Sequence, residues 1–186
     1  SFLRNLGADA AHFFNAEASV PKPGVVLPRI QSIASKLWTL YVIFTIICFI
    51  MLCLGGIDPF DALNYAFSII ATGGLTPTTA GTFLYSQNTY ICVVFILFMI
   101  IAGGNFAVYY NVIQKGFSAL FSDFETRMYW LVLVIGILIT FISLYFQSNS
   151  MDIGQVFQDA AFTLVSIQTG SGFAVSDYDL WPAAAQ

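Results

Sequence analysis

Charge is scarce in this chain. Six Lys and Arg with ten Asp and Glu make up only 9% of its 186 residues, where a soluble domain carries about a quarter. Apolar residues reach 58% and mean hydropathy is +0.81, which excludes an ordinary soluble fold. Histidine is nearly absent: His12 alone cannot build a His-based catalytic or metal cluster. The three cysteines, Cys48, Cys53 and Cys92, stand at no metal-ligand spacing and read as packing residues. No nucleotide-binding loop and no signal-peptide pattern occur, and nothing addresses nucleic acid. The chain does not read as an enzyme, and no organic cofactor is expected.

What is present is long apolar runs. Leu37–Leu54, Tyr90–Tyr110 and Met128–Phe146 each hold 18 to 21 residues without a charge, and about 20 apolar residues cross a bilayer as a helix. Two further runs, Phe60–Ala71 and Val156–Gln168, have about a dozen residues and reach only halfway across. Asp58-Pro59 ahead of the first supplies an N-cap acceptor and a first-turn proline. Asp152 stands comparably ahead of the second, loosened by Gly154. Both short runs lead directly into Gly-rich turns, Ala71-Thr72-Gly73-Gly74-Leu75 and Thr169-Gly170-Ser171-Gly172-Phe173. Such backbone is excluded from hydrocarbon unless it lines a water-filled path, where its carbonyl oxygens can replace an ion's hydration shell. The short runs therefore read as re-entrant half-helices rather than interfacial helices lying flat.

The second absence is of positive charge on one side. Arg4, Lys22, Arg29, Lys36, Lys115 and Arg127 all precede the first span or lie between the second and third; none falls in residues 55–89 or 147–186. The positive-inside rule makes residues 1–36 and 115–127 cytoplasmic. Asp58, Asp61, Asp152, Asp159, Asp177 and Asp179 are then left at an outer mouth suited to gathering cations. The aromatics Trp38, Tyr41, Tyr90, Tyr109, Tyr110, Tyr129 and Trp130 stand near span ends, as an interfacial belt would.

The order is a cytoplasmic lead (1–36), a complete span–half-helix–turn–span unit (37–114), a cytoplasmic link (115–127) and a partial second unit (128–186). Residues 8–30, with three prolines, read as an irregular loop. The second unit stops after its turn at Trp181-Pro182-Ala183 and the chain opens at Ser1, as a stretch of a longer polypeptide would. Aligning the turns pairs Ser68-Ile69 with Ser166-Ile167 and Gly74 with Gly172, a weak but ordered repeat. Gly103-Gly104-Asn105 in the second span reads as close helix packing by small residues in preference to a hinge, with the Asn facing protein or pore rather than lipid.

This order of elements, with ATGGLTP in one unit and SIQTGSGFA in the next, resembles the Trk/Ktr/HKT potassium-transport superfamily, most nearly its bacterial TrkH-like branch. The resemblance runs from residues 13–36 to the end of the chain. It implies an all-α integral membrane fold of span–pore helix–filter loop–span repeats, four to a full chain and pseudo-fourfold about a potassium-channel-like pore. These residues would be its second unit and part of its third. It maps filter positions onto Ala71, Thr72, Gly73 and Gly74, and onto Thr169, Gly170, Ser171 and Gly172. It further implies potassium as the transported ion, a bacterial inner-membrane location, a homodimer of full-length subunits and a cytosolic ring of nucleotide-binding regulatory subunits. Neither turn has the TVGYG run of potassium channels, which implies looser selectivity.

Two functions stay open on the residues themselves. The first is a potassium-conducting pore subunit, with half-helix C-termini directing partial negative charge at a dehydrated cation. The second is a secondary transporter carrying a small cation-coupled solute at a midplane site built from broken helices. Placement separates them: the Gly interruptions lie between spans, whereas such transporters break within one.

Overall fold

A computed structural model describes residues 23–106, 108, 109, 112, 116, 124–147 and 152–176, with side chains from Ala34 onward. Contacts divide the chain into residues 1–36 and 37–186. Among the described residues there is no strand; the elements are α1 (Pro23–Leu54), α2 (Pro59–Ile70), a 3-10 segment η1 (Gly81–Tyr85), α3 (Thr89–Gly103), α4 (Phe124–Gln147) and α5 (Ile153–Thr169).

Among the described residues two helices are long and apolar enough to cross a membrane, Ala34–Leu54 within α1 and Phe124–Phe146 within α4. Their side chains stay largely uncovered: Ile46, Ile50, Val132, Leu138 and Ile139 are all exposed. In water that surface would be a severe cost; in a bilayer it is the expected outer wall. The half-helices behave in the opposite way. α5 buries Val156, Gln158–Thr163, Val165 and Ser166, so protein surrounds it on most sides and it does not lie flat on an interface. α2 buries Ala62, Tyr65, Ala66 and Ser68–Ile70. At 12 residues it is about 18 Å long, while the 17 residues of α5 make about 25 Å. The second half-helix thus begins three residues earlier than its apolar run: Asp152 takes the N-cap position without a side-chain cap bond, and Gly154 falls in a first turn whose N–H groups need no helical partner.

α3 is the wedge between the two units and packs against both α2 and α5. Its Phe95 ring lies 5.3 Å from Tyr65 of α2, 5.9 Å from Phe162 of α5 and 5.4 Å from Phe173 beyond the second turn. α4 closes on α5 where Gly136 leaves room: a Cβ there would stand 2.6 Å from Leu164 Cδ2. Cys48 and Cys92 are buried in this core and Cys53 is half-buried, all as free thiols.

Three expectations are corrected. The irregular stretch read over residues 8–30 is helical from Pro23 onward; Pro23 stands at the first helical position, where no N–H is needed, and Pro28 forgoes one hydrogen bond that so long a helix tolerates. Residues 8–22 lie outside the described part. The helix of the third span begins at Phe124, four residues before the apolar run Met128–Phe146, so Glu125 and Arg127 stand in its first turns. Finally, Tyr90–Tyr110 is not one continuous helix. α3 ends at Gly103, Gly104 is extended (φ −84°, ψ 170°), and helix resumes at Phe106. Close packing by small residues is present as well: a Cβ on Gly103 would lie 2.6 Å from Thr169 Cγ2. The hydrophobic pattern could not reveal the break, since the residues on both sides are equally apolar.

That break leaves carbonyls in need of donors. Tyr109 Oη donates to the Ile101 carbonyl and Tyr129 Oη to that of Ile100, both at 3.0 Å. These two tyrosines, read as interfacial aromatics, therefore act as caps for interrupted backbone.

Candidate functional site

The two turns read as filter loops are built by one device. α2 begins at Asp58, whose carboxylate accepts from Phe60 N at 3.1 Å, with Pro59 following. It ends with Thr72 N bonded to Ile69 O (3.0 Å) and Gly73 N to Ser68 O (2.7 Å). α5 ends with Gly170 N bonded to Ile167 O (3.1 Å) and Ser171 N to Ser166 O (2.9 Å). Both pairs are the Schellman close, in which a left-handed residue turns the chain off the helix axis. The left-handed residue is Gly170 (φ 72°) in one loop and Thr72 (φ 51°) in the other. A second left-handed residue follows two positions on in each loop, Gly74 (φ 65°) and Gly172 (φ 74°). The repeat that was weak as letters is therefore close to identical as backbone.

Thr72 is an outlier: a β-branched residue is strained at positive φ, by about 1–2 kcal/mol. Its hydroxyl donates to the Ala71 carbonyl at 2.8 Å. In the second loop Thr169 Oγ1 donates to Val165 O at 2.8 Å and stands 2.8 Å from Ser171 Oγ, so both hydroxyls are engaged.

The loops also touch each other. A Cβ on Gly74 would collide with the Ser171 carbonyl oxygen, and one on Gly172 would lie 4.0 Å from Gly74 Cα. Ser171 is buried at this junction, while Ala71, Gly73, Gly170 and Gly172 are exposed. All eight residues singled out from the sequence are thus placed in two adjoining turns of matched conformation. The distance from the first turn to the second, 98 positions of chain, is closed by α3 packing on both half-helices.

The acidic mouth differs from the expectation at one residue. Asp58 and Asp152 are exposed and Asp61 is half-buried, but Asp159 is buried on α5 and accepts from Gln155 Nε2 at 3.2 Å. It is part of helix packing, not of a solvated loop; Asp177 and Asp179 lie outside the described residues. Tyr85, at the end of η1, has its hydroxyl pKa raised by burial first and by the nearby Asp61 and Asp58 carboxylates next, so it stays protonated at neutral pH. The contacts that hold the second loop from outside, through Thr82, Ser86, Gln155 and Gln158, carried no sequence signal, because they join residues far apart in the chain through single polar atoms.

Residues 2–186 match the family model TrkH, described as a cation transport protein. The Trk system potassium uptake protein TrkH of Halomonas elongata is 31% identical over 186 residues, covering 99% of this chain and 38% of that protein. The protein of the same name from Escherichia coli K12 is 30% identical over 188 residues, with 98% and 38% covered. The crystal structure of the potassium transporter TrkH from Vibrio parahaemolyticus superposes with a TM-score of 0.79 at 30% identity, covering 83% of this chain and 34% of that one. The chain accordingly spans 38% of the length of these curated relatives. A shared helical fold with pore-helix repeats, matched family residues from end to end and two matched Gly-rich turns lead to one conclusion: the chain belongs to the TrkH family of cation transport proteins.

Proposed function

We propose that these residues form part of a pore for potassium uptake across the bacterial inner membrane, and that loops 71–74 and 169–172 coordinate dehydrated K+ with backbone carbonyls. The observation that carries this reading is the paired left-handed pattern, Thr72 with Gly74 and Gly170 with Gly172. Along an extended chain successive carbonyls alternate sides. A left-handed residue at every second position returns them to one side, where they can replace water around an ion. Each loop follows a half-helix C-terminus, whose partial negative charge favours a cation just beyond it. The names of the matched relatives, potassium uptake proteins, agree with that chemistry. By the resemblance, four such units surround the axis and two full subunits pair.

The experiment is flux of rubidium and sodium through the native gene product in proteoliposomes. Gly74→Ser places a side chain against the Ser171 carbonyl, and Gly172→Asp places a carboxyl beside the ion path. The expected outcome is reduced discrimination against sodium, or loss of flux, in both variants. Rubidium-over-sodium selectivity unchanged in both would remove the filter assignment.

The broken-helix transporter reading draws support from one feature, the interruption at Gly104 within the second span. Its freed carbonyls at Ile100 and Ile101 already accept from Tyr129 and Tyr109, which leaves little to bind a solute. The pore reading is therefore preferred.

The same proposal makes residues 1–36 and 115–127 the cytoplasmic surface that docks a nucleotide-binding regulatory ring, which biases gating by binding one pore state better than another. Charge reversal at Lys115 and Arg127 together is expected to weaken ring capture and the nucleotide response of flux. Full retention of both would move the docking surface elsewhere.

A further inference from the structure

We infer that Thr82, on the 3-10 segment of the first unit, is a positioning residue for the second unit's loop: it fixes the exit of residues 169–172 and thereby tunes which cation they prefer. Thr82 is 3% exposed, and its hydroxyl donates to the carbonyl of Ala174, two residues past Gly172. The donor and acceptor lie 92 positions apart, so this is a bond between units, not a local turn. The segment that carries Thr82 is itself held from below, because Tyr65 Oη of α2 donates to the Gly81 carbonyl at 3.2 Å.

A second tie sits at the other end of the same segment. The Ser86 carbonyl accepts from Gln158 Nε2 at 2.8 Å and from Gln155 Nε2 at 3.3 Å, both on α5. One short stretch, residues 81–86, therefore grips the pore helix near its N-terminal end and the loop at its exit. Between those grips the loop has little freedom to stretch. Phe173, the residue after Gly172, is 3% exposed and locked against Phe95 at 5.4 Å, edge to face. A carbonyl cage selects by holding its oxygens at a fixed spacing or field strength, and this clasp sets how far the second loop's oxygens can relax toward a smaller ion. A brace that served folding alone would need neither to bridge two units nor to end two residues from Gly172.

The inference rests on the filter reading of loop 169–172, and its test separates the two. Thr82→Val keeps the shape and removes the donor; Thr82→Ser keeps the donor. In proteoliposomes the native gene product carrying Thr82→Val is expected to lose about fivefold in rubidium-over-sodium flux ratio, the factor one hydrogen bond of ordinary strength governs, and Thr82→Ser is expected to retain the ratio. Equal loss of both fluxes with an unchanged ratio would make Thr82 a folding brace only and overturn the inference. If Thr82→Val does not accumulate in the membrane, Gln158→Met at the other grip carries the same measurement, and an unchanged ratio there overturns it as well. Failure of the filter reading is seen separately: Gly172→Asp would then leave selectivity intact, whereas failure of the clasp alone leaves Gly172→Asp effective and Thr82→Val silent.

Discussion

Gly74 and Gly170 have nearly the same left-handed backbone, φ 65° and 72°, yet they stand in different surroundings. A Cβ on Gly170 meets nothing within 4 Å, whereas one on Gly74 meets the Ser171 carbonyl, a backbone atom with nowhere to go. Gly170→Ala is therefore expected to cost about 1 kcal/mol, the ordinary penalty of an L side chain in this region. Gly74→Ala adds a steric clash between loops and should cost clearly more. Thermal unfolding of the purified protein in detergent checks the ranking, and equal shifts in the two variants would deny the contact between loops. Thr72 supports the smaller figure for Gly170, since it occupies the matching position with a branched side chain. Gly74 and Gly172 were legible in the sequence because only glycine takes such a position without strain. Thr72 was not, as no propensity places a β-branched residue there; the helix close imposes it.

At the level of elements, legibility followed local signals. Asp58-Pro59 announced the start of α2 and does cap it, while Asp152, whose signal Gly154 weakened, makes no side-chain cap bond. The half-helices and their turns were readable because each ends in glycine after a run too short to cross. The interruption after α3 was marked only by Gly103-Gly104-Asn105, which read as close packing in preference to a hinge, because hydropathy is blind to the break and its stabilisers are remote. Tyr129 is the clearest case: it looks like a belt aromatic, but its hydroxyl caps Ile100 O while its own carbonyl accepts from Gln168 Nε2 at 3.2 Å. It thereby links the broken helix to the last turn before the second loop. Tyr129→Phe leaves a part-buried carbonyl without its donor and is expected to destabilise the protein by about 1 kcal/mol. Denaturation in detergent measures this, and a midpoint equal to the parent's would mean that the break needs no cap. The neighbouring Trp130→Phe, which removes no bond to the break, serves as the comparison.

For the whole molecule, the two loops meet on one side and are open on the other. Ser171 is buried where it faces Gly74, but Ala71 and Gly172 remain exposed, as do the apolar Phe60, Leu63 and Phe67 on one stripe of α2. An ion stripped of water needs oxygens all round it, since each missing one returns part of the dehydration cost. Backbone facing lipid at that depth costs several kcal/mol per unpaired group. On the proposed filter reading, two loops make half of a ring at most, and further loops would complete it, from other units of the same polypeptide or from other copies of this one. The pseudo-fourfold arrangement implied by the family resemblance favours the first source. Residues 1–186 expressed alone, in cells lacking potassium uptake, are accordingly expected to give no growth at low potassium, while the native gene restores it. Rescue by residues 1–186 would overturn this and point to a symmetric oligomer of two-loop chains, which cross-linking between copies at Gly172→Cys would then reveal.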